Sequence, residues 1–176
     1  AGLDPFVCSV ASLFVSRWDK ATADELQGDL KNAVGIAIGE RTYKAFHDFV
    51  NGERWNELKE HGAKPQRLLL ASTGTKDPSL PDTLYITALA APETVNTMPE
   101  KTLLAFRDHG AVDGGIPMDG GDCEFVLGSV TSAGIDLDAL AERLQIEGRD
   151  SFDAAWNSMI SDIAASSPHG IRAVPT

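Results

Sequence analysis

Cysteine is nearly absent: the 176 residues hold two, Cys8 and Cys123. Two thiols in unlike surroundings do not make a disulfide framework, so a reducing cytoplasm is the expected setting. Cys8 lies in the apolar run Phe6-Val7-Cys8-Ser9-Val10, where a small thiol is expected to be buried. Cys123 lies in a Gly/Asp-rich stretch and is a candidate for exposure. Long apolar runs are also missing. No window approaches the roughly 18 residues of a membrane span, and no basic-then-apolar start marks a secretory signal. Positive charge is scarce, with 15 Lys and Arg against 26 Asp and Glu, a formal charge of -11. That excludes a general surface for nucleic acid or anionic membrane, both polyanions. An anion bound here needs a local pocket of donors. The four histidines, His47, His61, His109 and His169, show no metal-ligand spacing with one another or with the cysteines. No serine is paired with any of them in sequence as a triad would require.

What remains is ordinary for a globular chain: 43% hydrophobic and 23% charged residues. The length favours one domain with a core that buries roughly two-thirds of its extended surface. Residues 6–15 (FVCSVASLFV) are uncharged, β-branched, aromatic and small, the pattern of a strand buried on both faces. The run ends in the polar cluster Ser16-Arg17-Trp18-Asp19. A helix is expected from Lys20 to about Leu30, and a longer one from about Asn32 to Val50, closed by Asn51-Gly52. A short extra helix is expected over 53–61. Arg67 to Ala71 (RLLLA) reads as a second buried strand, and Ser72-Thr73-Gly74-Thr75-Lys76-Asp77-Pro78 as a turn-rich loop directly after it. Residues 83–91 are ambiguous between strand and helix, with helix preferred. Glu93 to Met98 reads as a short strand ending at Pro99, followed by a helix with proline at its first turn and His109-Gly110 at its end. Five glycines and Pro117 make residues 110–122 a loop. The remainder reads as two or three amphipathic helices, the clearest over 136–146 and 151–165, with a frayed tail.

Strand and helix alternate three times in about 110 residues, an α/β pattern with a parallel sheet. No self-similarity of 20–50 residues is present. Three parallel strands alone leave two open edges and an uncovered face, so residues outside this sequence are expected to complete the sheet. Ala1-Gly2-Leu3-Asp4-Pro5 reads as a loop feeding straight into a strand without an initiator methionine, and a chain cut from something longer is expected.

Three segments carry a family resemblance. Ser-Val-Ala-Ser-Leu-Phe-Val-Ser-Arg (9–17), Gln-Arg-Leu-Leu-Leu-Ala-Ser-Thr-Gly-Thr-Lys (66–76) and Thr-Val-Asn-Thr-Met-Pro (94–99) resemble the last three strand ends of transaldolases. The likeness is to the longer bacterial branch, which also occurs fused to glucose-6-phosphate isomerase. Asp82-Thr83-Leu84-Tyr85 and Ala105-Phe106-Arg107-Asp108-His109-Gly110 extend it, so that it covers nearly all of 5–165. The resemblance implies the C-terminal part of a (β/α)8 TIM barrel of the class I aldolase group. Residues 1–110 would form its last three βα units, 111–166 a loop and helices packing on the barrel, and 167–176 a flexible tail. It also implies transfer of a dihydroxyacetone unit between sugar phosphates in the pentose phosphate pathway. The sugars are fructose 6-phosphate, sedoheptulose 7-phosphate, erythrose 4-phosphate and glyceraldehyde 3-phosphate. The Schiff-base lysine and its two acids would lie upstream of Ala1, on an N-terminal half of the barrel. No catalytic residue is then expected within this chain, nor any metal or organic cofactor. A non-catalytic sugar-phosphate-binding module and an inactive fragment are the rival readings.

In such barrels ligands sit at the carboxyl ends of the strands, with phosphate often held by the last two loops. Arg17, just after the first strand, offers a forked guanidinium suited to phosphate, or it is a rim arginine paired with Asp19. Ser72 ends the second strand, where hydroxyls and a glycine bend suit an anion nest, and the family position implies a phosphate contact there. Many transaldolases have an arginine two residues later; this chain has Gly74, and Lys76 is the candidate to replace the charge unless it is a solvated loop lysine. Gly74-Thr75-Lys76 is not a P-loop, since the first glycine and the following hydroxyl residue are missing. An exposed Lys76 also lacks the desolvation a Schiff-base lysine needs. Ser12, inside an apolar strand, needs a partner: the barrel interior, a backbone carbonyl or, by family position, the substrate. Phe14 shares its face and either walls the same pocket or packs in the core. Asn96, beside Thr97, either reaches a sugar hydroxyl or caps the turn. Trp18, Trp55 and Trp156 are expected to be packing residues.

Overall fold

In the computed structural model, residues 4–166 are described. They fall into two compact units that divide between Ile135 and Asp136. The first unit contains a three-stranded sheet in the order β1-β2-β3, made of β1 (Val10–Phe14), β2 (Arg67–Ala71) and β3 (Val95–Thr97). Both pairings are parallel, with Phe14 opposite Ala71 and Ala71 opposite Thr97. All three strands therefore end at one side of the sheet. Among the described residues, the outer edges of β1 and β3 have no strand partner.

The connections are helical, as parallel pairing requires. α1 (Val15–Thr22) follows β1 without a linker, and a 3-10 turn (Gly28–Leu30) leads to α2 (Val34–Val50) and α3 (Glu53–Glu60). α4 (Leu84–Ala88) lies between β2 and β3, α5 (Glu100–His109) follows β3, and α6 (Cys123–Ser132) completes the unit. Alternation puts Leu13, Leu68 and Leu70 on one sheet face, where they join Val15, Tyr43, Tyr85, Leu89 and Ile116 in the core. Leu70 is fully buried. The opposite face carries Val10, Ser12, Phe14, Leu69 and Thr97. It is largely open, with Val10 41% exposed. α6 is fastened to α2 by the Arg41 guanidinium, which reaches both carboxylate oxygens of Glu124 at 2.8 and 2.6 Å.

The second unit is one helix, α7 (Leu137–Ser166). It starts with the Asp136 carboxylate accepting from the Asp138 and Ala139 amides at 3.1 and 3.0 Å, an N-cap. Phe152, Trp156, Met159 and Ile163 form an exposed apolar stripe along it. No described helix is long and apolar enough to cross a membrane.

The structure corrects several expectations. The first strand is Val10–Phe14 rather than 6–15, and the cluster Ser16-Arg17-Trp18-Asp19 is the first turns of α1, not a polar break. The following helix expected to reach Leu30 stops at Thr22. The two helices expected over 136–146 and 151–165 are continuous, since Gly148 costs only about 1 kcal/mol in a helix interior. Cys8 is exposed and Cys123 buried, the reverse of their apparent settings. Cys8 precedes the paired part of β1, where nothing described covers it, while α6 turns Cys123 inward. Trp55 is buried in packing, but Trp156 is 61% exposed.

Candidate functional site

Because the strands are parallel and in register, Arg17 and Ser72 emerge at the same end of the sheet. They lie three residues and one residue beyond the paired Phe14 and Ala71. Their contact is made through Ser16. The Ser16 amide donates to the Ser72 carbonyl at 3.2 Å, and the Ser16 and Ser72 hydroxyls are 2.8 Å apart. Ser16 is buried and Ser72 half-buried, so this pair is partly shielded from water. Ser72 adopts the left-handed conformation, φ 55°. For a non-glycine residue that costs on the order of 1 kcal/mol, and the two bonds from Ser16 hold it there. Strain kept at a strand end is characteristic of ligand-facing turns.

Arg17 is half-buried on the first turn of α1. Its guanidinium carbon lies 4.5 Å from the centroid of the Phe14 ring, which fixes the direction of the fork. The alternative pairing with Asp19 is absent among the described residues, since Asp19 is engaged by Gly35 and Tyr85. The α1 N-terminus adds the positive end of a helix dipole at the same place. Ser12 and Phe14 share the open sheet face, and Ser12 is exposed.

The loop after β2 is held from both sides. Thr73 is fully buried and donates its hydroxyl to Asn96 Oδ1 at 2.8 Å. Asn96 is in register with Leu70 and so belongs to the covered face, opposite to Ser12 and Phe14. Gly74 is buried, and a Cβ there would meet the Pro99 ring at 3.0 Å. A side chain at that position would therefore crowd the start of α5. The next cation along the loop, Lys76, is exposed. It lines a 260 Å3 cavity together with Ser16, Asp19, Lys31, Asp77 and Tyr85, which Arg17 and Ser72 do not line. A larger cleft of 510 Å3, walled by Phe46, Trp55, Lys64 and Glu93, lies near the start of β2 and contains no expected site residue.

Two groups missed by the sequence reading stand out. The Asp19 carboxylate, 3% exposed, accepts the Gly35 amide at 2.9 Å on one oxygen and the Tyr85 hydroxyl at 2.7 Å on the other. Burial raises its pKa above the ordinary carboxylate value, partly offset by the Gly35 and Tyr85 bonds. Burial, then the neighbouring carboxylate, pushes the Tyr85 hydroxyl upward, so it stays a donor. At the rim, His109 Nε2 meets Asp82 Oδ1 at 2.9 Å and Nδ1 meets Asp108 at 3.3 Å. The bond to Asp82, then that to Asp108, raises the His109 pKa. His47 lies edge-on to Tyr43 with ring centroids 4.5 Å apart. His169 falls outside the described residues, and among those described no three His, Cys, Asp or Glu side chains gather as a metal site would need.

Residues 2–163 match the family model for transaldolase/fructose-6-phosphate aldolase. A transaldolase of Parafrankia sp. (strain EAN1pec) is 44% identical over 165 residues, covering 89% of this chain and 45% of the relative. One from Arthrobacter sp. (strain FB24) is 44% identical over 163 residues, 88% of this chain and 44% of the relative. One from Acidothermus cellulolyticus is 43% identical over 169 residues, 91% and 45% respectively. The chain spans about half the length of the curated relatives it matches.

Proposed function

The chain belongs to the transaldolase/fructose-6-phosphate aldolase family, and from that premise we propose that it supplies the phosphate-gripping end of a transaldolase. In this reading β1, β2 and β3 are the last three strands of a (β/α)8 barrel. An N-terminal half provides the other strands, the Schiff-base lysine and its acids. The open face bearing Ser12 and Phe14 becomes barrel interior, and the open edges of β1 and β3 find their partners in that half.

The observation that carries the proposal is the Ser16–Ser72 pair, because it fixes the turn bearing Arg17 against the turn that ends β2. A sugar phosphate entering there meets a forked guanidinium, the Ser72 hydroxyl and the end of a helix dipole. Lys76, which lines the neighbouring cavity on the same loop, adds positive charge at longer range. Charge-assisted hydrogen bonds of this kind contribute about 1.5–3 kcal/mol each. That is the local donor set an anion needs against a net charge of -11. Ser12 orients the sugar near the reacting carbon, Phe14 walls the pocket and backs Arg17, and Asn96 contributes through the Thr73 turn. The phosphate thereby anchors the substrate far from the lysine, so binding energy at one end positions the carbonyl at the other.

Borohydride trapping with fructose 6-phosphate tests the reading. The assembled protein should acquire one covalent sugar adduct on a lysine outside this chain. Specific binding without an adduct would favour a binding-only module instead. Calorimetry with inorganic phosphate asks whether this chain alone holds the pocket. Arg17→Ala should weaken that binding by roughly 10- to 100-fold.

A further inference from the structure

The loop that leaves β2 is fastened twice to one helix. At its start, Ser72 is bonded to Ser16 through hydroxyl and backbone at 2.8 and 3.2 Å. Just beyond its end, Tyr85 on α4 donates its hydroxyl to Asp19 at 2.7 Å. Ser16 and Asp19 are three residues apart on α1, so both fastenings lie on the same side of that helix. Everything from Ser72 to Tyr85, Lys76 included, is strung between two points one turn apart. We infer that Asp19 and Tyr85 are positioning residues for phosphorylated substrate: their bond closes the far end of the 72–83 loop onto α1 and keeps Ser72 in register with Arg17. The inference rests on the phosphate site proposed above and concerns residues that do not themselves reach the phosphate.

The arrangement is over-determined for simple packing. Asp19 also accepts the Gly35 amide at 2.9 Å, so one carboxylate ties α1 to both α2 and α4. Gly35 permits this approach, since a Cβ there would lie 2.7 Å from both Asp19 Oδ2 and the Val15 carbonyl. Two apolar side chains would fill the space without desolvating a carboxylate and are often as stable or more so. They would also slide. A hydroxyl–carboxylate bond fixes distance and direction instead. Asp19 and Tyr85 face the cavity that Ser16 and Lys76 also line, so the tie is adjacent to the loop it orders. A loop ordered beforehand loses less conformational freedom when the anion arrives, which strengthens binding without a new contact.

Steady-state kinetics on the full-length enzyme test this, with fructose 6-phosphate and unphosphorylated fructose compared as donors. Tyr85→Phe keeps the ring and removes the bond. It should raise KM for fructose 6-phosphate about tenfold, hold kcat within about twofold and leave kcat/KM for fructose unchanged. Asp19→Asn retains an acceptor oxygen and should lie between wild type and Asp19→Ala; if Asp19→Ala does not fold, Tyr85→Phe decides alone. Equal losses on both donors, or a lower melting temperature with unchanged KM, would overturn the inference. Arg17→Ala separates the layers. If it impairs only the phosphorylated donor while Tyr85→Phe does not, the phosphate site stands and the positioning role falls. If neither variant discriminates between the donors, both fall.

Discussion

Leu69 and Leu70 are neighbours on one strand, yet they point to opposite faces of the sheet. Leu70 is fully buried beneath the helices, whereas Leu69 is half-buried on a face shared with exposed Val10 and Ser12. The covered face has a finished core of Val15, Tyr43, Leu68, Tyr85 and Leu89. The other has none among the described residues. The chain thus builds a helix-covered core on one side of its sheet and leaves the other side largely open, which in the proposed barrel is the interior. That face mixes apolar Val10, Phe14 and Leu69 with small or hydroxyl-bearing Ser12, Ala71 and Thr97.

That contrast can be broken by experiment. Leu70→Ala should cost this chain about 3–4 kcal/mol and Leu69→Ala less than about 1 kcal/mol, read from urea midpoints at constant slope. Equal costs would mean that the faces are equally finished. Gly35→Ala should cost about 2 kcal/mol by forcing α1 and α2 apart at Val15 and Asp19, whereas Gly62→Ala, with open space around it but φ 88°, should cost only about 1 kcal/mol. Thermal melts of the two variants make the comparison.

Thiol labelling compares an uncovered segment with a covered helix. Cys8 is exposed and Cys123 buried, so under native conditions Cys8 should react with an aromatic disulfide reagent on the order of 100-fold faster. Burial and the neighbouring Glu124 also raise the Cys123 pKa, which leaves less thiolate there. Joining the chain to an N-terminal half should slow Cys8 and leave Cys123 unchanged.

The smallest effect is expected at the rim. The His109 pKa is raised and the Asp82 pKa lowered, first by the bond between them in each case. The His109 share of stability is full below its unfolded value of about 6.5 and is lost as pH rises through the higher folded value. The Asp82 share is present above its unfolded value of about 3.9 and is lost as pH falls through the lower folded value. The link therefore holds best between roughly pH 4 and 6.5. An NMR titration of His109 should move downward in Asp82→Asn while the melting temperature barely shifts.

Local pattern made much of the first unit readable. The Arg67–Ala71 strand is a short apolar run bounded by turns, and α2 follows the 3.6-residue recurrence of Val34, Ile38 and Ala45. The boundary at Val15 was not readable, because an inward-facing strand and the first turn of a buried helix draw on the same apolar residues. Nor was the exposure of Cys8, since composition reports what a segment is made to be covered by, not whether the cover is in this chain. Arg17 and Ser72 stood out through the family resemblance at those positions together with their place after apolar runs. Asp19 and Tyr85 did not, because a bond between residues 66 positions apart leaves no local mark.

The extra helix α3 and Gly62 lie before β2, at the end of the sheet away from Ser16 and Ser72. Gly62 has no heavy atom within 4 Å of where a side chain would begin. That turn is thus a natural splice point: a fluorophore, an epitope or a whole reporter domain inserted there would report on assembly while leaving the anion-facing end of the strands undisturbed.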